Sequence, residues 1–293
     1  MLSLSFSPPA INAIPYYSDG KKQTFVLRAD AIDAVISGNK WFKLRFYLSE
    51  ALQQQKKRIV TYGGAFSNHI VATAAACKAA GLQCLGIIRG EQPSVLSHTL
   101  LQAQSLGMQL QFISREDYAQ KIMPANISTD TDYCIAEGGY GHTGAQGAAT
   151  MLNGIRKDFT HMLCAVGTGT TLAGLLQAVP VSTQVIGISS LKNNLSLAAE
   201  TAALNGTTAE TINILHQFHF GGYAKHKPEL INFMNNLYRQ TAIPTDFVYT
   251  GKLFYGFDTL VQQNYFPMGS KILLIHSGGL QGNLSLPKGT LIY

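Results

Sequence analysis

The feature that most constrains the fold is a repeated alternation of short apolar runs and longer helical stretches along the 293 residues. Runs such as 162–166 and 272–275 are apolar at successive positions, which is typical of strands buried on both faces in a parallel sheet. Stretches such as 68–80 have helical periodicity and are rich in Ala. This order predicts an α/β fold.

Unequal spacing and Gly-rich turns favour two open, mostly parallel twisted sheets with helices on both faces over a single barrel. The strands are predicted at 24–27, 59–62, 85–88, 110–113, 133–136, 162–166, 184–188 and 272–275. The helices are predicted at 41–55, 68–80, 95–106, 144–155, 171–179, 195–204 and 228–240.

The charge balance argues against nucleic-acid binding. Lys and Arg outnumber Asp and Glu by 22 to 16, but the basic residues are scattered. A slight excess of cations is equally expected of an enzyme that binds anionic cofactors or carboxylate substrates. Charged residues make up 13% of the chain, against about 25% in an average soluble domain. We therefore expect a partner subunit to cover some surface, as in a homodimer.

The cysteines and the apolar runs define the expected environment. Cys77, Cys84, Cys134 and Cys164 have no CxxC spacing, so they predict neither a metal site nor disulfides, and we expect all four in the core. No apolar run reaches the roughly 18 residues of a membrane span. Because no basic segment precedes the first apolar residues, a cytoplasmic location without membrane contact is expected.

One Gly-rich turn is a candidate phosphate site. Val166 ends an apolar strand and Thr171 opens a helix, which places Gly167, Thr168, Gly169 and Thr170 at a helix N-terminus. Free amides and the positive end of the helix dipole favour a phosphate there. The turn has neither the third Gly of a dinucleotide fingerprint nor the Lys of a Walker loop, so a smaller phosphate ester is expected. A plain turn with hydroxyl caps explains the same residues.

Lys40 is a candidate nucleophile. Asn39 can cap the helix that follows Gly38, and Lys40 then lies in its first turn, where the dipole disfavours a cation. A lysine with a lowered pKa can form Schiff bases, and Lys43 on the same face would lower that pKa further. A solvated side chain is the alternative.

The segment GGAFSNH at 63–69 joins a strand to an Ala-rich helix. Ser67 is placed as the N-cap of that helix. The two glycines before it would allow a ligand carboxylate to reach the amides of Ser67, Asn68 and His69.

Seven motifs occur together in the chain. They are LRAD at 27–30, GNKWFKL at 38–44, GGAFSNH at 63–69, AEGGYGHTGAQG at 136–147, GTGTTLAG at 167–174, VYTGK at 248–252 and HSGGLQG at 276–282. In these motifs the chain resembles the fold-type II pyridoxal-phosphate (PLP) enzymes, specifically the group of D-cysteine desulfhydrase and 1-aminocyclopropane-1-carboxylate (ACC) deaminase. The resemblance implies a fold like that of the tryptophan synthase β subunit.

The resemblance also implies roles for single residues. Lys40 would hold PLP as a Schiff base, Lys43 would contact the cofactor, Asn68 would contact the ring hydroxyl, and 167–171 would hold the phosphate. Ser67 and Tyr249 are the expected catalytic partners. Ser67, Asn68, His69, Tyr223 and Tyr249 are the expected substrate contacts, although Tyr223 and Tyr249 would equally suit a core or an interface. His276 is expected to be a structural hydrogen-bonding residue.

Two departures bear on the substrate. ACC deaminases resemble VYEGK and HLGG where this chain has Thr250 and Ser277, which are expected beside the cofactor. A carboxylate would keep the pyridine nitrogen protonated, whereas a hydroxyl only exchanges hydrogen bonds with it. Desulfhydrase-like members carry hydroxyls at these places, which favours α,β-elimination from D-cysteine. Trp41 and Phe42 depart from the small and basic residues usual after the Lys. ACC deamination, β-replacement and a non-catalytic binding protein stay open.

The resemblance finally implies two domains. A small domain, 43–147, would be inserted in a large PLP-binding domain formed by 1–42 and 148–293, with the cofactor between them.

Overall fold

The computed structural model describes residues 6–156 and 158–293, so residues 1–5 and Lys157 of the predicted large domain lie outside the described residues. The strands are β1 (Ala10–Ala13), β2 (Gln23–Arg28), β3 (Arg58–Gly63), β4 (Gln83–Arg89), β5 (Met108–Ile113), β6 (Asp132–Ile135), β7 (His161–Val166), β8 (Gln184–Ser189), β9 (Asn213–Leu215) and β10 (Lys271–His276). The α-helices are α1 (Asn39–Gln53), α2 (Asn68–Ala80), α3 (His98–Ser105), α4 (Arg115–Ala119), α5 (His142–Ala149), α6 (Thr170–Ala178), α7 (Leu197–Asn205), α8 (Pro228–Thr241) and α9 (Thr250–Gln262).

These strands form two open sheets. The larger has the order β1-β2-β10-β7-β8-β9, and only β1 pairs antiparallel, with β2. The smaller has the order β5-β4-β3-β6 and is parallel throughout. Successive buried positions in β7 and β10 agree with strands covered on both faces. The predicted fold class is therefore confirmed.

One hydrophobic core extends over both sheets. It includes Ile59 and Ile88 of the smaller sheet together with Cys164 and Ile275 of the larger one, all with no exposed surface. A second core lies between the larger sheet and α9, where Phe254 and Phe257 are fully buried. Together the cores hold the two sheets and α9 in fixed positions.

All eight predicted strands and all seven predicted helices have counterparts at similar positions. Two strands, β1 and β9, and two helices, α4 and α9, were not predicted. The prediction that all four cysteines are core residues is wrong for Cys134, which is exposed because it lies on the outward face of β6, an edge strand.

The two sheets match the predicted lobes in their residue ranges, since β3 to β6 all fall within 43–147. The predicted boundaries at 42/43 and 147/148 fall inside α1 and α5, so the division into domains stays a prediction. Among the described helices, none is both long and apolar enough to span a bilayer. The cytoplasmic location stays a prediction as well.

Candidate active site

A cavity of about 390 Å³ lies where the carboxyl ends of the two parallel sheets meet. The turns that follow β3 and β6 and the last residue of β4 line it from the smaller sheet, and the turns that follow β7, β8 and β10 line it from the larger one. Ligands of open α/β sheets bind at these carboxyl ends. Segments that are far apart in the sequence therefore line the same cavity.

Most of the predicted site residues line this cavity. They are Lys40, Lys43, Ser67, Asn68, His69, Gly167, Thr168, Gly169, Thr171, Tyr223, Tyr249 and Ser277. Thr170 and Thr250 do not line it, and both are fully buried. The individual roles that the resemblance implies stay predictions.

Asn39 joins the candidate nucleophile to the candidate phosphate turn. Lys40 Nζ donates a hydrogen bond to Asn39 Oδ1 at 2.7 Å, and Asn39 Nδ2 donates to Thr171 Oγ1 at 2.7 Å. The sequence predicted Asn39 as a helix cap, which is wrong: Gly38, with φ of 68°, takes the cap position and Asn39 is the first helical residue. Its side chain is therefore free to bridge Lys40 and Thr171.

Three basic side chains lie together at this end of the cavity. Burial lowers the pKa of Lys40 to about 8, and the nearby carboxylate of Asp246 partly opposes that shift. Burial and the charge of Lys40 hold the pKa of Lys43 well below its usual value. Burial and both lysines lower the pKa of His69 to about 3. Among the described residues, none of the three forms an ion pair, so an anionic ligand bound here would favour the protonated forms of Lys40 and Lys43.

The turn 167–171 is shaped as an anion cradle. Gly169 caps α6 with φ of 78°, and a Cβ on it would lie 2.3 Å from Thr201 Oγ1, so only Gly fits. The amides of the first turn of α6 have no acceptor within the helix. Thr168 Oγ1 lies 3.0 Å from Thr170 Oγ1. Amides and hydroxyls thus surround one end of the cavity.

Ser67 is the N-cap of α2, as predicted. Its Oγ accepts a hydrogen bond from the amide of Ile70 at 3.4 Å. The amide of Ser67 donates to Gly64 O at 3.0 Å and is therefore not available to a ligand. The amides of Asn68 and His69, in the first turn, have no acceptor within the helix. Two of the three amides predicted to meet a carboxylate are thus open to one.

Two phenols face the same cavity. The ring centroids of Tyr223 and Tyr249 are 6.1 Å apart, and Lys40 Nζ lies 6.0 Å from the Tyr249 ring centroid. Burial raises the pKa of both phenols, that of Tyr249 well above its usual value. Both are therefore protonated hydrogen-bond donors at neutral pH.

Thr250 is held by a carboxylate behind the cavity wall. Its hydroxyl donates to Asp246 Oδ1 at 2.7 Å, and the Asp246 amide donates to Thr250 Oγ1 at 2.8 Å. The amides of Val248 and Tyr249 donate to Asp246 Oδ2. Asp246 therefore fixes the start of α9, and with it the position of Tyr249.

Several residues of this region were not predicted. Arg89, Glu137 and Leu191 line the cavity, and Asp246 lies beside it. Each follows a predicted strand or precedes one of the seven motifs, and that position is the one signal in the sequence that could have indicated them. His276 was expected to be structural, and its Nε2 lies 2.6 Å from Pro244 O.

Comparison with known proteins assigns the class. The profile of the pyridoxal-phosphate dependent enzymes matches residues 11–278, and the chain belongs to this family. Its two sheets are those of fold-type II PLP enzymes. The crystal structure of a protein described as an ACC deaminase homologue superposes with a TM-score of 0.80 at 28% identity, covering 94% of this chain and 91% of that one.

Two curated relatives are also similar along most of the chain. A Pyrococcus horikoshii protein provisionally assigned as an ACC deaminase is 30% identical, covering 88% of this chain and 85% of its own length. The Arabidopsis thaliana bifunctional D-cysteine desulfhydrase/ACC deaminase is 26% identical, covering 89% of this chain and 73% of its own length. PLP is thus the cofactor of this enzyme, and the relatives' names span two substrates.

The residues of the cavity fit PLP. The buried Asn68 Oδ1 has no hydrogen-bond partner among the described residues, which a ring hydroxyl would supply. The free amides at the N-terminus of α6, where Gly169 takes the left-handed cap conformation, would bind a phosphate. Lys40 and Lys43 line the same cavity, and a bound phosphate would favour the protonated form of an amine beside it. An amine suited to bind an aldehyde covalently is joined to that cradle through Asn39.

Proposed function

We propose that this enzyme catalyses α,β-elimination from a small amino acid, with D-cysteine as the favoured substrate. The observation that carries the proposal is the pairing, in one cavity, of the Lys40 amine with the protonated phenol of Tyr249. Elimination needs a base for the α-proton and an acid for the leaving group. The lowered pKa of Lys40 makes a fraction of its amine neutral at neutral pH, and the raised pKa of Tyr249 keeps its phenol protonated.

PLP, when bound, supplies an electron sink that stabilises negative charge at the substrate α-carbon. Lys40 would hold it covalently, Asn68 would bind its ring hydroxyl, and the turn 167–171 with Lys43 would hold its phosphate. Thr250 and Ser277 are proposed on the ring-nitrogen side, with the hydroxyl of Thr250 already bonded to Asp246.

The remaining side chains would act on the substrate. The amides of Asn68 and His69, with the Ser67 hydroxyl, would bind its carboxylate at the N-terminus of α2. The amine of Lys40 would accept the α-proton at Nζ, which its lowered pKa favours at neutral pH. Tyr249 would donate its phenolic proton to the departing sulfur, and Tyr223 would orient Tyr249.

The substrate preference rests on position 250. Thr250 stands where the ACC deaminases that the sequence resembles carry Glu, and its hydroxyl donates to Asp246. With Thr250 in place of Glu, position 250 supplies no carboxylate to protonate the ring nitrogen. The electron sink is then weaker, which is sufficient for eliminating a good leaving group such as a thiolate. D-cysteine and water would give pyruvate, ammonia and hydrogen sulfide.

ACC deamination is the second candidate, because the relatives named above are assigned that substrate or both substrates. The two reactions release different products. ACC gives 2-oxobutyrate and ammonia, and no sulfide.

The test is a product assay on the PLP-loaded enzyme. D-cysteine, L-cysteine, D-serine and ACC are supplied separately, and 2-oxo acid, ammonia and sulfide are measured. The proposal predicts equal yields of pyruvate, ammonia and sulfide, with the highest kcat/KM on D-cysteine. Turnover of ACC alone would contradict it.

The control is Lys40→Ala, which should bind PLP without a covalent link and release no product. Adding a second thiol to the D-cysteine reaction detects β-replacement, because that reaction would form a thioether in place of pyruvate.

We also propose that the enzyme is a homodimer, which the low charged fraction supports. Light scattering on the purified protein tests this proposal. A monomer at micromolar concentration would contradict it.

A further inference from the structure

Lys252 is a buried lysine that does not line the cavity. It lies in the first turn of α9 with no exposed surface. Its Nζ donates to Gly222 O at 2.7 Å and to Ser190 O at 3.5 Å. Within the described part of the chain it forms no ion pair, and burial lowers its pKa to about 8.

An ammonium in this position is costly to the fold. Transfer of a charge from water to an apolar interior is unfavourable unless hydrogen bonds and an opposite charge compensate it. Lys252 has carbonyl acceptors, and the carboxylate of Asp246 offsets the cost of burial only in part and without forming an ion pair. Met would fill a similar volume without a charge. Its location is better explained by the two backbone segments whose carbonyls accept hydrogen bonds from the ammonium.

The first of these is the strained backbone segment 219–225, which contains Gly222. Phe220 and Ala224 have φ of 51° and 52°, and Gly221 and Gly222 between them have φ of 100° and 116°. Left-handed backbone is unfavourable for residues with a side chain, so surrounding contacts must impose this shape. Tyr223, in the middle of the segment, lines the cavity.

The second segment is the carboxyl end of β8. Ser190 follows that strand directly, and Leu191, the next residue, lines the cavity. Tyr249, which caps α9, lies three residues before Lys252. One ammonium therefore joins three parts of the cavity wall, those that carry Tyr223, Leu191 and Tyr249.

We propose that Lys252 is a positioning residue, which holds the 219–225 segment so that Tyr223 faces Tyr249 in the active site. It touches neither substrate nor cofactor and acts through the carbonyl of Gly222. The inference rests on the proposed lyase activity, since it assigns Tyr223 to the same reaction.

A double-mutant cycle tests the kinetic consequence. Lys252→Met should lower kcat/KM about tenfold, because a displaced group loses much of its effect on the reaction. If Lys252 acts through Tyr223, the effect of Tyr223→Phe should largely disappear in the Lys252→Met background. Lys252→Gln, whose amide can still donate to the Gly222 carbonyl, should recover part of the loss. Independent, multiplying effects would contradict the proposal.

Hydrogen exchange tests the contact without any turnover. In Lys252→Met, amides of 219–225 should exchange faster, while those of β7 and β10 keep their wild-type protection. Phe257→Leu is the matched control, because it also removes buried contacts from α9 but leaves Gly222 alone, and it should not change exchange in 219–225. Unchanged exchange in Lys252→Met would overturn the proposal.

The two proposals can fail separately. If the wild-type enzyme turns over none of the four substrates, the proposed function fails, while the exchange experiment still decides whether Lys252 holds the segment. If no Lys252 variant folds, Tyr223→Phe decides the question. An unchanged kcat/KM in that variant would contradict the proposal, because a Tyr223 phenol with no role in the reaction would not need to be positioned by Lys252.

Discussion

Burial sets the chemistry of Lys40. Removing an ammonium from water disfavours its charged form, and the residual attraction of Asp246 keeps the pKa at about 8 instead of lower. At neutral pH a useful fraction of the amine is therefore neutral and nucleophilic. The sequence predicted a lowered pKa from the helix dipole or from a desolvated pocket, with a further contribution from Lys43, and burial is the largest cause in the structure.

This value predicts the pH dependence of cofactor capture by the apoenzyme. The ammonium cannot attack an aldehyde, so the rate of covalent PLP uptake should rise as pH increases and level off above about pH 8. The measurement is the rate of visible absorbance change after PLP is mixed with apoenzyme at a series of pH values. A midpoint near the ordinary lysine pKa of 10.5 would contradict a buried, neutral amine at this position.

Gly169 is the residue on which the cradle depends. An added Cβ would lie 2.3 Å from Thr201 Oγ1, and the residue also has a positive φ of 78°. Gly169→Ala should therefore lower the free energy of unfolding by about 2–4 kcal/mol and weaken PLP binding. Urea denaturation and equilibrium dialysis measure the two effects.

Gly206→Ala is the matched control for that variant. Gly206 has a φ of 69°, but a Cβ added to it would have no atom within 4 Å, so its cost should be the backbone contribution alone, about 1–2 kcal/mol. Equal losses in the two variants would show that the contact with Thr201 has no effect.

At the scale of elements, local signals decided which helices could be predicted. Helix α2 was predicted at its observed bounds because Ser67 caps its start and Gly81, in left-handed conformation, ends it. Helix α9 was missed since Gly251 and Gly256 interrupt its pattern, and both are required by packing: their Cβ atoms would meet Met234 and Phe218. Such requirements are tertiary and leave no local signal.

The cap of α2 yields a prediction that separates stability from function. Ser67→Ala removes the hydrogen bond to the Ile70 amide and should cost about 1 kcal/mol of stability. Ser114 caps the short helix α4 through the Asp117 amide and lies outside the cavity. Ser114→Ala should destabilise the protein comparably, but only Ser67→Ala should lower kcat/KM, by about tenfold or more. Equal kinetics in both variants would remove Ser67 from the proposed site.

At the scale of the molecule, the site is formed by the carboxyl ends of two sheets whose strands are far apart in sequence. The motifs indicated Lys40, Ser67 and the 167–171 turn, because each begins a helix after a strand or a turn. They did not indicate that Asn39 bridges Lys40 and Thr171, because Asn39 and Thr171 are 132 positions apart and meet only when the fold brings the first turns of α1 and α6 together. Asp246 was missed for the same reason.

The central claim, that Lys40 is the lysine that binds the cofactor, can be tested directly. Lys43 and Lys252 are buried and Lys40 is half-buried, and all three have lowered pKa values, so each is a chemically reasonable site. The PLP-loaded enzyme is reduced with borohydride, digested and mapped by mass spectrometry. We expect a pyridoxyl-phosphate mass on the peptide that contains Lys40, located at that residue by fragmentation. The same mass on Lys43 or Lys252, with Lys40 unmodified, would contradict the claim.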